Sequence, residues 1–136
     1  MGTVYAEITM KNAFDVGACE RGNMNEPEVR QITVAALVDT GAYTLVIGEG
    51  HQEKLGLKLR GEDWVKLANG EPAAVKRLDP VEVCWKDRTM TCQPVLLPGT
   101  DEVLLGAIPL EDLDLIVDPK HEQLVGRHGD QRIGRV

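Results

Sequence analysis

The run Ile32-Thr33-Val34-Ala35-Ala36-Leu37-Val38 leads straight into Asp39-Thr40-Gly41-Ala42, and Tyr43-Thr44-Leu45-Val46-Ile47 leads out again. Short apolar runs rich in β-branched residues read as strands. The chain must therefore turn tightly between two buried strands while carrying a carboxylate at the turn. A lone Asp in such a place is costly unless it is hydrogen-bonded or functional. Thr40 and Gly41 beside it supply a hydroxyl and a backbone that other groups can approach closely. Chemistry is expected at Asp39.

The rest of the chain reads mainly as strands. Val4–Met10 alternates loosely and is a first strand, whereas Asp15–Glu28, rich in Gly, Asn and acidic residues, reads as a loop. Val29–Val38 is the second strand. Glu49–Leu55 is a short helix stopped by Gly56, with a structural role. Trp64–Ala68 and Glu71–Val75 form a hairpin around Asn69-Gly70, the signature of a two-residue turn with positive φ. Pro72 lacks an N–H, so its arm is an edge strand or projects from the sheet. Val81–Trp85 turns at Lys86-Asp87-Arg88 and returns as Thr89–Leu97. Val103-Leu104-Leu105-Gly106 is a buried strand ending in Gly. Pro109 opens a second helix over Leu110–Leu113. Leu115–Val117 and Leu124–Val125 are the arms of a last hairpin. At 136 residues one domain is expected. It spans residues 1–126 and is followed by a polar tail over 127–136.

Several function classes are disfavoured. A net charge of -7 without a basic stripe argues against nucleic acid as partner. No apolar run is long enough to cross a membrane. The first residues show no basic region followed by an apolar stretch, so no signal peptide is read and a cytoplasmic location is expected. His51, His121 and His128 are scattered and read as surface residues rather than metal ligands. Cys19, Cys84 and Cys92 fit no metal spacing. Cys84 and Cys92 fall on facing arms of one hairpin, and reduced thiols are expected there rather than a disulfide.

Three elements in order resemble the retropepsin-like (retroviral-type) aspartic proteases. They are the strand-borne Leu37-Val38-Asp39-Thr40-Gly41-Ala42, the hairpin tip Asn69-Gly70 where that family places its flap, and Leu104-Leu105-Gly106 followed by a short helix. The resemblance covers about Val4 to Val125. It implies an all-β fold: a closed acid-protease-type barrel with a flap hairpin and one or two short helices. It implies Asp39, Thr40 and Gly41 as catalytic residues, and Ala42, Ala68, Asn69, Gly70 and Ile108 as substrate-binding residues, with no metal and no cofactor. The family's reaction needs two facing carboxylates and this chain has one Asp-Thr-Gly, so a homodimer acting on an extended peptide or protein substrate is implied. The alternative is a catalytically inactive module of the same fold, used for dimerisation or peptide binding. Ala42 stands where pepsin-like enzymes usually carry a hydroxyl that favours the charged form of the pair, so an optimum less acidic than pepsin's, about pH 4–6, is expected. Many relatives brace the active-site loop with a polar side chain just after the second Gly. Ala107-Ile108-Pro109 has none, so the brace comes from elsewhere, with Arg21, Arg30 or Arg127 as candidates, or is absent.

Overall fold

The computed structural model describes residues 3–136. In chain order the elements are β1 (Tyr5–Asn12), α1 (Ala13–Glu20), a 3-10 turn (Glu26–Glu28), β2 (Gln31–Val38), β3 (Val46–Ile47), α2 (Glu49–Leu55), β4 (Leu59–Lys66) and β5 (Pro72–Leu78). They continue with β6 (Val81–Trp85), β7 (Arg88–Cys92), β8 (Val95–Leu96), β9 (Leu104–Leu105), α3 (Ala107–Asp112), β10 (Leu115–Asp118) and β11 (Gln123–Gly126). The first nine strands form one sheet in the order β4-β5-β8-β3-β9-β2-β1-β6-β7, and β10 pairs with β11 separately. The fold is all-β, as expected.

Alternation builds the core. Along β1, Ala6, Ile8, Met10 and Asn12 are buried while the residues between them face outward or are half-buried. They pack with Leu45, Ile47, Leu55, Val83, Leu105 and Leu113, all fully buried. Each such side chain contributes about 1.5–3 kcal/mol of burial. The strand that carries Asp39 lies deep in this sheet. β2 pairs antiparallel with β1 on one side and parallel with the short β9 on the other, through Leu37↔Leu104 and Val38↔Leu105. β9 in turn pairs antiparallel with β3 through Val46↔Leu104.

Three short helices are present among the described residues, against the one or two expected. The additional one is α1, which replaces the first part of the loop expected over Asp15–Glu28. Its cause is tertiary. The buried Asn12 caps it, accepting from the Asp15 N–H at 3.1 Å and donating to the Leu55 carbonyl at 2.8 Å. Asp15 is itself buried and accepts from Arg30 at Nε (2.8 Å), Nη2 (2.9 Å) and the backbone N–H (3.1 Å). α2 occupies the expected residues, and Gly56 ends it at φ 66. α3 starts before Pro109, at Ala107.

The Arg30 hydrogen bonds hold the Asp15 carboxyl below its ordinary value of 3.8. A depressed value means that the stabilisation is complete above that range and is lost as pH falls through the folded-state value. Asp15→Ala is expected to destabilise the protein by about 2 kcal/mol at pH 7, less than for a fully buried pair because half-exposed Arg30 can rehydrate. Urea midpoints measured at pH 7 and again below the carboxylate range check this. The gap between wild type and variant should shrink in acid.

β4 and β5 make the expected hairpin, but its tip differs. The Gly70 N–H donates to the Leu67 carbonyl at 2.9 Å and the Leu67 N–H to the Glu71 carbonyl at 2.8 Å. Gly70 has φ 85, whereas Asn69 is not among the residues with positive φ. The loop is thus the three residues Ala68, Asn69 and Gly70, a turn followed by a glycine bulge. The Asn69 side chain is occupied in accepting the Glu71 N–H at 3.0 Å. β5 meets β8 only through Lys76 and Arg77, so the outer part of the hairpin, including Pro72, projects from the sheet.

The cysteines are reduced as expected, whereas one of the histidines is not at the surface. Cys84 stands opposite Thr89, and Cys92 opposite Val81, so the thiols do not face each other and both are free. Burial pushes the Cys92 thiol up to about 12. His121 and His128 are exposed, but His51 is half-buried with its Nδ1 enclosed and unpartnered. Beyond β11 the chain folds back. Arg88 donates to the Leu113, Asp114 and Gly129 carbonyls at 2.8, 2.9 and 2.7 Å. The Asp114 carboxylate lies 2.6 Å from His128 Nδ1 and accepts the Ile133 N–H at 3.0 Å.

Candidate active site

Asp39 leaves the sheet where β2, β9 and β3 meet. Its N–H donates to the Leu105 carbonyl at 3.0 Å, one step past the β2–β9 ladder, and its carbonyl accepts the Ala42 N–H at 3.1 Å, closing the turn. Its carboxylate Oδ1 accepts the Gly41 N–H at 2.9 Å. One carboxylate oxygen is thus oriented by backbone. Asp39 and Ala42 are half-buried, and Thr40 and Gly41 are exposed.

Gly106 is required by close approach of backbone, and Gly41 is favoured by a tighter than usual contact with the Asp39 side chain. A Cβ on Gly41 would stand 3.2 Å from Asp39 Oδ1. A Cβ on Gly106 would stand 2.3 Å from the Thr44 carbonyl oxygen and 2.5 Å from that of Ala42. This contact lets the start of α3 brace the loop. The Ala107 N–H donates to the Ala42 carbonyl at 2.8 Å and the Ile108 N–H to the Tyr43 carbonyl at 3.0 Å. The expected arginine braces are engaged elsewhere: Arg30 holds Asp15, Arg127 lies 3.5 Å from Asp114, and Arg21 lies against Gly17 of its own helix. The brace is made of amides, which leave no mark in the residue types.

The loop stands between two cavities. One, of about 390 Å³, is flanked by Asp39 and Thr40 and is otherwise mainly apolar, with Val4, Leu37, Val117 and Pro119 in its wall. The other, of about 470 Å³, brings Gly41 and Tyr43 of the loop together with Asp63, Trp64, Val65 and Lys66 of β4. Ala68, Asn69 and Gly70 lie at the exposed hairpin tip, outside both. Ile108 is exposed on α3 and joined to the loop through its amide.

Sequence reading missed Tyr43, Asp63 and Trp64 as neighbours of this loop. The Tyr43 hydroxyl donates to Asp63 Oδ2 at 3.5 Å, and Arg77 Nε lies 3.7 Å from the same oxygen. Burial, with the Asp63 carboxylate adding to it, pushes the Tyr43 phenol up. The one available signal was Trp64 itself, a large aromatic on a projecting arm. Among the described residues no group of three or more His, Cys, Asp and Glu is placed to hold a metal, and no helix is long and apolar enough to cross a membrane.

A family profile described as "Aspartyl protease" matches residues 22–108. The chain is similar to the retroviral protease-like domain of Ddi1 from Leishmania major, with a TM-score of 0.56 over 92% of this chain and 88% of that one, at 16% identity. It is similar also to the EIAV protease in complex with an inhibitor, with a TM-score of 0.51 over 82% of this chain and 88% of that one, at 20% identity. At these identities the likeness is one of fold. No curated protein matches the chain by sequence.

Proposed function

The chain belongs to the aspartyl protease family, and from that membership we propose that it is an aspartic endopeptidase active as a homodimer. The observation that carries this reading is the state of Asp39. Its carboxylate sits at the end of β2, a strand paired on both sides within the sheet, one oxygen fixed by the Gly41 N–H, in a turn held to α3 by two further amides. The Gly41 contact alone is an Asx turn, as at Asn69. What favours a catalytic role is that the turn is also held to α3 by two amides, which orients a general base in advance.

The chemistry then takes two copies of Asp39. Two carboxylates about 3 Å apart share one proton, as is general for aspartic proteases. The ionised one takes a proton from water, which attacks the peptide carbonyl, while the protonated one donates to the carbonyl oxygen. The resulting intermediate collapses as the leaving nitrogen is protonated. Thr40, exposed beside Asp39, bonds across the dimer and keeps the two loops in register. The β4–β5 hairpin closes over an extended substrate, pairing with its backbone and excluding water. The alternative, an inactive module that dimerises or binds peptides, draws support from the tip, where Gly70 is followed at once by Glu71 and Pro72.

The test is hydrolysis of a denatured protein between about pH 3 and 7, at several enzyme concentrations, with and without pepstatin. Cleavage should peak at about pH 4–6, stop with pepstatin, and show a specific activity that rises with concentration. Ultracentrifugation at the same concentrations reports the dimer. A dimer that cleaves nothing supports the inactive module, and an active strict monomer refutes the shared site.

A further inference from the structure

We propose that Tyr43 and Trp64 are the two walls of a specificity pocket that takes an aromatic side chain of the substrate. This rests on the endopeptidase reading above. The pocket is the cavity of about 470 Å³ between the Asp39 loop and β4. It begins at Gly41, whose N–H orients the Asp39 carboxylate, so it is continuous with the place where a peptide must lie.

Trp64 is 74% exposed. Its cross-strand partner is Ala74, whose methyl leaves the indole without an aromatic neighbour in the hairpin. The fold gains little from this side chain, while a ligand would gain a broad apolar face. Tyr43 lines the same cavity from the Asp39 loop. Its backbone carbonyl is held by the Ile108 N–H, and its hydroxyl donates to Asp63.

Charge favours neither sign of occupant. Asp63 is paired with Arg77 at 3.7 Å, so a basic side chain would find its carboxylate already partnered. Lys66 in the same wall is exposed and offers an acidic one only a solvent-screened contact, and either would give up hydration on entering. A flat uncharged ring avoids that cost and stacks on indole and phenol. The wall is mixed, so the two rings supply its apolar face while Asp63 and Lys66 supply the polar groups that orient an occupant.

The test uses a peptide series that varies one position at a time, read as kcat/KM. Wild type should prefer Phe, Tyr or Trp over Ala at one position near the cleavage site by roughly 10- to 100-fold. Trp64→Ala should collapse that ratio, chiefly through KM, with an unchanged melting temperature. Tyr43→Phe, which keeps the ring, should retain the preference. A binding arm needs no turnover. In Asp39→Asn protein, the emission of the exposed tryptophan should shift with an aromatic-containing peptide and not with its Ala counterpart, and Trp64→Phe should remove the shift. The same aromatic preference in Trp64→Ala, or a wild-type preference for Lys or Arg, would overturn the pocket. If wild type hydrolyses nothing while the emission shift is present, the endopeptidase reading fails and the pocket stands.

Discussion

Asp39→Asn is expected to lower kcat by at least about a thousandfold while leaving the fold and the dimer intact. Asn has the same shape, and its carbonyl oxygen can still accept the Gly41 N–H that Asp39 Oδ1 accepts at 2.9 Å. What it lacks is a proton to share and a charge with which to activate water. Circular dichroism and sedimentation should therefore match wild type. A second consequence separates a shared site from a complete one. Titrating the variant into a fixed amount of wild type should form mixed dimers with a single carboxylate. With free exchange, activity falls to about half at equal amounts and to about a tenth at a ninefold excess. Activity that ignores the added variant would place the whole site within one chain. Full activity of Asp39→Asn alone would remove Asp39 from the chemistry.

Gly106→Ala is expected to be strongly damaging, because its methyl would meet the backbone of the Asp39 loop itself. The new Cβ would fall 2.3 Å and 2.5 Å from the carbonyl oxygens of Thr44 and Ala42. These are backbone atoms, so no side-chain rotation relieves the clash. Separating the strands would stretch the amides that hold the Asp39 loop. The cost is expected to be about 3 kcal/mol or more, and the melting temperature to fall by roughly 10 °C. Hydrolysis should fall further than the loss of folded protein explains. Gly134→Ala is the control, because a Cβ there meets nothing within 4 Å. Equal melting temperatures for the two variants would mean that the crossing of the chains at Gly106 is looser than described.

The parts of this protein legible in its sequence are those whose residue types carry their own reason. Asp39 stood out because a carboxylate between apolar strands needs an explanation. α2 was readable because Gly56 ends it in a conformation that suits glycine. α1 was not readable. It is short, contains Gly17, and depends on Asn12, Asp15 and Arg30 meeting across the fold. The hairpin at Asn69 was found but its turn was misread. Asn-Gly favours two positive-φ residues, yet Asn69 uses its side chain to hold Glu71, and the bulge falls on Gly70 alone. The three residues at the loop's side cavity were invisible for a different reason. Tyr43, Asp63 and Trp64 are brought together by the path of β4, which local pattern does not encode.

The amide brace on the Asp39 loop has a consequence for inheritance. Support given by a side chain is one nucleotide change from being lost. Support given by the N–H groups of Ala107 and Ile108 survives any replacement at those positions except proline. Replacement at 107 or 108 therefore does not by itself remove the brace; Ala107 is half-buried and limited in size, whereas Ile108, exposed on α3, can be retuned for whatever it touches. All of the rigidity is concentrated at Gly106 instead. The Asp39 loop thus pairs a position closed to any side chain, Gly106, with an exposed one at Ile108 whose side chain can change while the amide that holds the loop is retained.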